Sequence, residues 1–351
     1  MYINGLGAIS PQNTHSGSFP FELTNHNSVQ LSCVEPDYKE YMSPRTSRRM
    51  SRAVKMGVAA ALMALNDKET DKPDAIITGS GLGCMQDTEK FLQAITENQE
   101  KFLNPAPFIH STHNTISSQI ALLLKCMGYN QTYVHGPFSF ESALLDAAML
   151  LKDGTHHTIL AGGIDEMTPN LFAITRRFNV WKKNDLYSQR LLTSNSKGTI
   201  AGEGAGFFKL QSNATEDSVA QIIDVKTIFS SSGKKEPEFH TKEFLENNST
   251  SVDEIDLCFL GKNGDNRLDG LYTSLQTSLF NNKSIAVYKH LCGEYLTSTA
   301  FATWLAAQIL RHQQVPKFVM HEGRLPHSIN KVLIINQFQH DHLSLVLLAT
   351  V

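Results

Sequence analysis

The sequence predicts an α/β protein made of two similar βα series. Short apolar runs alternate along the chain with longer stretches in which apolar residues recur at helical spacing. Several of the short runs are apolar throughout rather than at every second residue, the pattern of strands buried on both faces. The order of the first series returns after a polar segment, which points to an internal pseudo-duplication with two sheets sharing buried helices.

Residues 2–10 read as the first strand, and 47–65 as a helix with Met50, Val54, Val58, Leu62 and Leu65 at helical spacing. A β-branched strand at 74–79 ends in Gly79-Ser80-Gly81-Leu82-Gly83 and is followed by a helix at 87–98. Helix 114–127, strand 131–134, helix 138–152 and strand 158–161 come next, the last stopped by Gly162-Gly163. A polar, irregular stretch at 168–196 leads to the run Gly202-Glu203-Gly204-Ala205-Gly206 and a strand at 207–210, which closes a first half, 1–210. The linker 211–218 opens a second half, 211–351, with strand 220–229, helix 238–247, strand 255–260 and helix 269–280. Strand 284–288, helix 296–310 and strands 331–335 and 343–348 complete it.

Of 351 residues, 41% are hydrophobic and 19% charged, enough apolar mass for one large or two moderate cores and unlike a disordered chain. Lys plus Arg number 31 against 34 Asp plus Glu, so no global positive field recruits nucleic acid or an anionic membrane surface. The longest apolar runs, 159–163 and 343–350, are strand length, well short of the roughly 20 residues that cross a bilayer. Residues 1–11 lack the charged flank and apolar core of a signal peptide. Cys33, Cys84, Cys126, Cys258 and Cys292 are odd in number, widely spaced and without a CxxC pair, which fits small buried hydrophobes in a reducing compartment. A cytoplasmic protein is the expectation.

Several local patterns invite a chemical reading and favour a plainer one. The 79–83 run lacks the GxxxxGK spacing of a phosphate loop. Ser139 with His135 and Glu141 offers a nucleophile, a base and an acid, but all three share one short segment, and Gly136-Pro137-Phe138-Ser139 is not a G-x-S-x-G elbow. Capping or a buried hydroxyl for Ser139, and compensation of the helix dipole by Glu141, are favoured. His340-Asp341-His342 and the pair His110 and His113 lack a complete ligand set, so no metal or other cofactor is expected. The glycines at 162, 163, 202, 204 and 206 suit close backbone approach beside a central cavity.

Taken in order, several segments resemble the β-ketoacyl synthases of the thiolase superfamily over nearly the whole chain. They are Tyr2-Ile3-Asn4-Gly5-Leu6-Gly7-Ala8-Ile9-Ser10-Pro11, Arg48-Arg49-Met50-Ser51-Arg52 and Ala161-Gly162-Gly163-Ile164-Asp165-Glu166. The 201–206 run, Lys289 with Gly293, and Asn336 with Phe338 continue the series. The resemblance implies a thiolase-like fold of two pseudo-duplicated βα halves in five α-β-α-β-α layers.

The resemblance breaks where such synthases do their chemistry. Their nucleophilic cysteine starts a buried helix, and the register fixed by Asp146-Ala147-Ala148 puts Pro137 there. Proline cannot be acylated and has no N–H for an oxyanion hole, although a first helical turn accepts it readily. The first family histidine falls on Gly261, with Asp269 retained downstream, and the second, five residues after Lys289, falls on Glu294. A carboxylate there repels a developing enolate instead of stabilising it. Gln339-His340-Asp341-His342 replaces the family's glycine-rich loop. Lys289 reads as part of a structural ion pair.

This pattern resembles the chain length factors, synthase-like partners of active synthases in polyketide, aryl polyene or flexirubin-type systems. The resemblance implies a dimer with an active β-ketoacyl synthase and service by an acyl carrier protein. It implies that Gln131, Tyr133 and His135 lie near the dimer interface and that Phe138 and Phe140 help bound the acyl tunnel. The carrier is acidic, so Arg48, Arg49 and Arg52, grouped with Arg45 and Lys55, or Arg176 and Arg177, grouped with Lys182 and Lys183, are its docking candidates. The rival readings are a condensing enzyme with Ser139 as relocated nucleophile, and a homodimeric acyl-binding scaffold.

Overall fold

A computed structural model describes residues 1–65, 72–230 and 237–351. Its strands are β1 (Tyr2–Ile9), β2 (Ala75–Gly79), β3 (Tyr129–Tyr133), β4 (Thr158–Asp165), β5 (Gly204–Gln211), β6 (Ala220–Phe229), β7 (Leu257–Leu260), β8 (Ser284–Val287), β9 (Met320–Glu322), β10 (Lys331–Phe338) and β11 (His342–Ala349). Its helices are α1 (Pro44–Ser47), α2 (Arg52–Leu65), α3 (Met85–Glu97), α4 (Pro105–His110), α5 (Thr115–Leu124) and α6 (Ser139–Lys152). They continue with α7 (Pro169–Arg176), α8 (Pro237–Asn247), α9 (Gly270–Ser278), α10 (Lys289–Cys292) and α11 (Ser298–His312).

Read outward from the middle, the strands run β1-β5-β4-β2-β3 on one side and β6-β11-β10-β7-β8-β9 on the other. The pairing senses match step for step: two antiparallel neighbours, then two parallel ones, with β9 added at the far edge. Where the sequence suggests two sheets, hydrogen bonding is continuous through all eleven strands. The seam is narrow, however, since β1 meets β6 only at Tyr2 with Gln221 and Ile3 with Ala220.

Three apolar clusters stack across this arrangement. Helices α2 and α5 cover the outer face of the first five strands, and their cluster holds Val54, Val58, Ile116 and Phe207. Helices α6 and α11 pack between the two series, reaching strands of both and burying Phe140, Leu144, Phe301 and Trp304. Helices α8 and α9 cover the far face with Phe244, Leu245, Tyr272 and Leu275. The layers are therefore α, β, α, β, α.

Several boundaries differ from the sequence reading, and four stand out. The helix expected from residue 47 is two pieces, with Ser43 capping α1 and α2 beginning at Arg52. Strand β4 does not stop at Gly162-Gly163 but runs through them to Asp165. A Cβ on Gly162 would stand 2.4 Å from the Phe207 ring, and one on Gly163 would stand 3.0 Å from Phe140, so these glycines admit neighbouring rings rather than end the strand. The stretch from residue 168 contains α7, which starts with Thr168 as N-cap and Pro169 in the first turn. Strand β10 continues to Phe338, which carries the chain to the rim of the site.

Candidate functional site

The chain segments after β7 and β8 meet the end of β10 around Gly261. A Cβ there would stand 2.5 Å from Asn336 Oδ1 and 2.8 Å from the Tyr272 hydroxyl, so these groups already fill the room a side chain needs. The Tyr288 hydroxyl donates to Asn336 Oδ1 at 3.0 Å, and the Gln337 N–H donates to the Tyr272 hydroxyl at 2.7 Å. Burial pushes both phenols well up from their ordinary range, so they stay neutral.

Lys289, at the start of α10, is fully buried, and its Nζ contacts both carboxylate oxygens of Glu294 at 2.7 and 2.6 Å. Asn263 Nδ2 donates to Glu294 Oε2 at 2.9 Å. Asp269 takes the N–H groups of Asn263 and Gly264 at 3.0 and 2.8 Å, which fixes the loop after Gly261. Gly293 turns the chain into Glu294 at φ +74°, a conformation open to glycine. The Glu294 backbone then bonds Ile200 and Gly202, tying this cluster to the first series. Lys182 adds a second tie, donating to Ser196 O and Oγ at 2.9 Å each and to Gly264 O at 2.7 Å.

Pro137 sits in a different environment. It is buried in a short 3-10 turn, Gly136–Phe138, ahead of α6. Ser139 Oγ accepts the His135 N–H at 2.9 Å and donates to Gly136 O at 2.7 Å, with no exposure, so its hydroxyl closes the turn. His135 Nδ1 contacts Ser142 Oγ at 3.2 Å, not Ser139. Glu141 points the other way, accepting from Thr299 Oγ1 of α11 at 2.6 Å, and its burial raises its pKa. The three residues thus form no relay. Glu141 is an acid in the first turn of α6, as the dipole reading expects, and it is also a buried link to α11.

A cavity of about 480 Å³ opens beside the Glu294 cluster, with Leu171, Phe178, Val180, Trp181 and Phe338 among its apolar walls. Asp165, Glu166, Asp265 and Glu294 also line it, with Arg267. Asp165 accepts the N–H groups of Gly81, Leu82 and Thr297 at 2.9, 3.2 and 3.0 Å. Glu166 accepts the Gln86 N–H at 2.9 Å. Burial pushes Asp165 up to about 6 and Glu166 up to about 7.

Gln131, Tyr133, His135, Phe138 and Phe140 are not on the cavity wall. Gln131 and Tyr133 lie on β3, at one edge of the sheet, with Gln131 exposed and Tyr133 half-buried; His135 is exposed just beyond. Phe138 packs on His342, ring centres 5.0 Å apart, and Phe140 on Phe208 at 5.7 Å inside the central layer.

The basic candidates separate as well. Arg52 is engaged by Glu203 at 2.6 and 2.5 Å and also by Glu35, which makes it a structural cation rather than a free one. Arg48 and Arg49 are exposed beside a polar cleft shared with Lys55 and Lys90. Arg176 lies 5.9 Å over the Phe172 ring and donates to Lys183 O at 2.8 Å, and Arg177 is exposed. Lys182 is buried, which removes it from any surface group. Among the described residues no group of three or more His, Cys, Asp or Glu could hold a metal ion. All five cysteines are free thiols. No helix of the described residues is long and apolar enough to cross a membrane.

The sequence pointed to Gly261, Glu294 and Lys289, and the structure gathers these; Pro137 lies in its own turn. Sequence reasoning missed Asn263, Tyr272 and Tyr288, whose roles depend on contacts between separate segments, and the Trp181 and Phe178 wall. The Thr168-Pro169 start signal was the one readable clue to that wall.

The model of the β-ketoacyl synthase N-terminal domain matches residues 25–216. A 3-oxoacyl-[acyl-carrier-protein] synthase 2 of Vibrio cholerae is 24% identical over 236 residues, which are 60% of this chain and 57% of the relative. The match thus spans little more than half the length of that relative. Among solved structures, the ishigamide ketosynthase/chain length factor superposes with a TM-score of 0.78 at 16% identity, covering 100% of this chain and 98% of that one. The ketosynthase ApeO in complex with its chain length factor ApeC, from Xenorhabdus doucetiae, gives 0.77 at 14% identity, with 100% and 98% covered.

Proposed function

The chain belongs to the β-ketoacyl synthase family, and we propose that within it this protein is a chain-length-factor-like subunit without condensing chemistry of its own, paired with an active ketosynthase. The observation that carries this reading is the state of the catalytic positions. Pro137 offers no nucleophile, and the nearest hydroxyl, Ser139, is held by two hydrogen bonds inside its turn. Tyr272 and Asn336 fill the room a side chain would need at position 261. Glu294 is locked to Lys289 and Asn263 and has no proton-donating ring to offer a thioester. Loss of one position would leave several readings open, whereas joint loss favours a partner role.

In this reading the halves 1–210 and 211–351 form one thiolase-like subunit that needs no cofactor and works in the cytoplasm. The partner synthase packs on the β3 edge near Gln131, Tyr133 and His135, with Phe138 and Phe140 backing that wall. Arg48 and Arg49, or Arg176 and Arg177, steer an acidic acyl carrier protein, and Arg52 keeps their segment in place through Glu203. Aryl polyene, flexirubin-type, polyketide or fatty-acid-like synthesis is the setting.

The test incubates the purified chain with acyl-carrier thioesters and measures intact mass. No acyl adduct is expected. A stoichiometric adduct that disappears in Ser139→Ala would overturn the reading. Co-expression with a candidate ketosynthase should give a heterodimer on gel filtration, whereas a stable homodimer that ignores every such synthase would favour an acyl-binding scaffold.

A further inference from the structure

The cavity beside Glu294 carries a charge pattern that selects among thioesters. We propose that it accepts a neutral acyl group and turns away one that bears a carboxylate, such as a malonyl extender; this rests on the reading of the chain as an acyl-handling subunit. Its apolar wall of Leu171, Phe178, Val180, Trp181 and Phe338 suits a hydrocarbon or ketone. The polar part of the wall carries four acids, Asp165, Glu166, Asp265 and Glu294, beside the neutral Asn263, Thr175, Thr199 and Gln339.

The cations nearby are already taken. Arg267 holds Asp265 through Nε at 2.9 Å and Nη2 at 2.5 Å. Lys289 holds both oxygens of Glu294 and is fully buried, so it cannot swing to a ligand without abandoning a buried carboxylate. The backbone N–H groups of Gly81, Leu82 and Thr297, which might otherwise cradle an anion, converge on Asp165. The Gln86 N–H at the start of α3 is likewise occupied, by Glu166. His340, at the rim, is exposed, where water screens it. An entering carboxylate therefore meets acids and no unpaired Lys or Arg among the described residues of the wall, while a neutral acyl group lies against the apolar side without a charge penalty.

S-acetoacetyl-pantetheine and S-malonyl-pantetheine provide the test, because they differ at the acyl end by a methyl in place of an ionised oxygen. Both are titrated into the full chain by calorimetry at neutral pH. Acetoacetyl binding should be tighter by roughly tenfold or more, the scale of one unfavourable charge contact at partly screened distance. Glu166→Gln should narrow that ratio, and Val180→Trp, checked for folding by circular dichroism, should abolish acetoacetyl binding by filling the cavity. Malonyl binding as tight as acetoacetyl, acetoacetyl binding that survives a folded Val180→Trp, or no binding of either at millimolar concentration would each overturn the proposal. The titration uses the chain alone, so its failure leaves pairing with a ketosynthase standing, and failure to pair leaves the measured selectivity standing.

Discussion

The turn around Pro137 and the cluster around Glu294 solve the same problem, burying polar groups, in opposite ways. At the turn, Ser139 Oγ finds both partners within four residues, at His135 and Gly136. At the cluster, Glu294 takes Lys289 from five residues back but Asn263 from across the fold, and Asn336 depends on Tyr288, so the cluster is completed only by separate stretches of chain. Local satisfaction lets a turn change a residue with little effect elsewhere. Distributed satisfaction makes the cluster a structural joint, and removal of one member strands the others.

The largest effect should follow from breaking the joint. Lys289→Ala leaves Glu294 buried without its cation and is expected to cost ~3–5 kcal/mol in chemical denaturation. Lys289→Met combined with Glu294→Leu should restore most of that loss, and a double variant as unstable as the single one would show that the pair's charge is not what matters.

Glu166 sharpens the contrast, being a carboxylate buried on the same side and held by a backbone N–H rather than by an ammonium hydrogen bond. Burial raises its folded pKa from 4.5 to about 7. The unfolded chain therefore ionises first, and this group's contribution to stability, full below pH 4.5, is lost as pH rises through about 7. Glu166→Gln, which keeps an acceptor for Gln86, should gain ~2–3 kcal/mol on its parent between pH 4 and pH 8. Parallel stability curves for the two proteins across that window would contradict the assignment.

At the turn the effects shrink. Ser139→Ala removes an internal cap and should lower stability by ~1 kcal/mol, with no change in acylation by mass. Pro137→Cys fits a first-turn position and should shift the unfolding midpoint by less than ~1 kcal/mol equivalent. On the proposed reading it should also show no condensation of thioesters, because Gly261 and Glu294 are unchanged; activity in this single variant would overturn that expectation.

The same division between local and distributed interactions explains what was legible in the sequence. Strands such as β2 announce themselves by a β-branched apolar run and helices such as α6 by helical spacing, since each buries its own local pattern. Helix α7 escaped notice among polar residues although Thr168 and Pro169 mark its start. The course of β4 through Gly162 and Gly163 was not readable because its reason, the rings of Phe207 and Phe140, lies in other elements. At the site, Gly261, Lys289 and Glu294, which the structure brings together, could be singled out by their resemblance in register to a known family. Tyr272, Tyr288 and Asn263 could not, because nothing in their own segments says which distant group they serve. Arg52 looked like a surface cation for the same reason, its partner Glu203 being 151 positions away.

Helix α11 is made roughly 100 residues after β5, yet it packs on β1, β4 and β5 as well as on β10 and β11. At a translation speed of about 5–20 residues per second, the inner face of the first five strands waits on the order of 5–20 s for that helix to leave the ribosome. During this interval Ile3, Ala161, Phe208 and Leu210, all fully buried in the finished protein, lack part of their cover. The shared central layer thus makes the nascent first series a client for chaperones, and it favours a production temperature low enough to slow aggregation until the second series arrives.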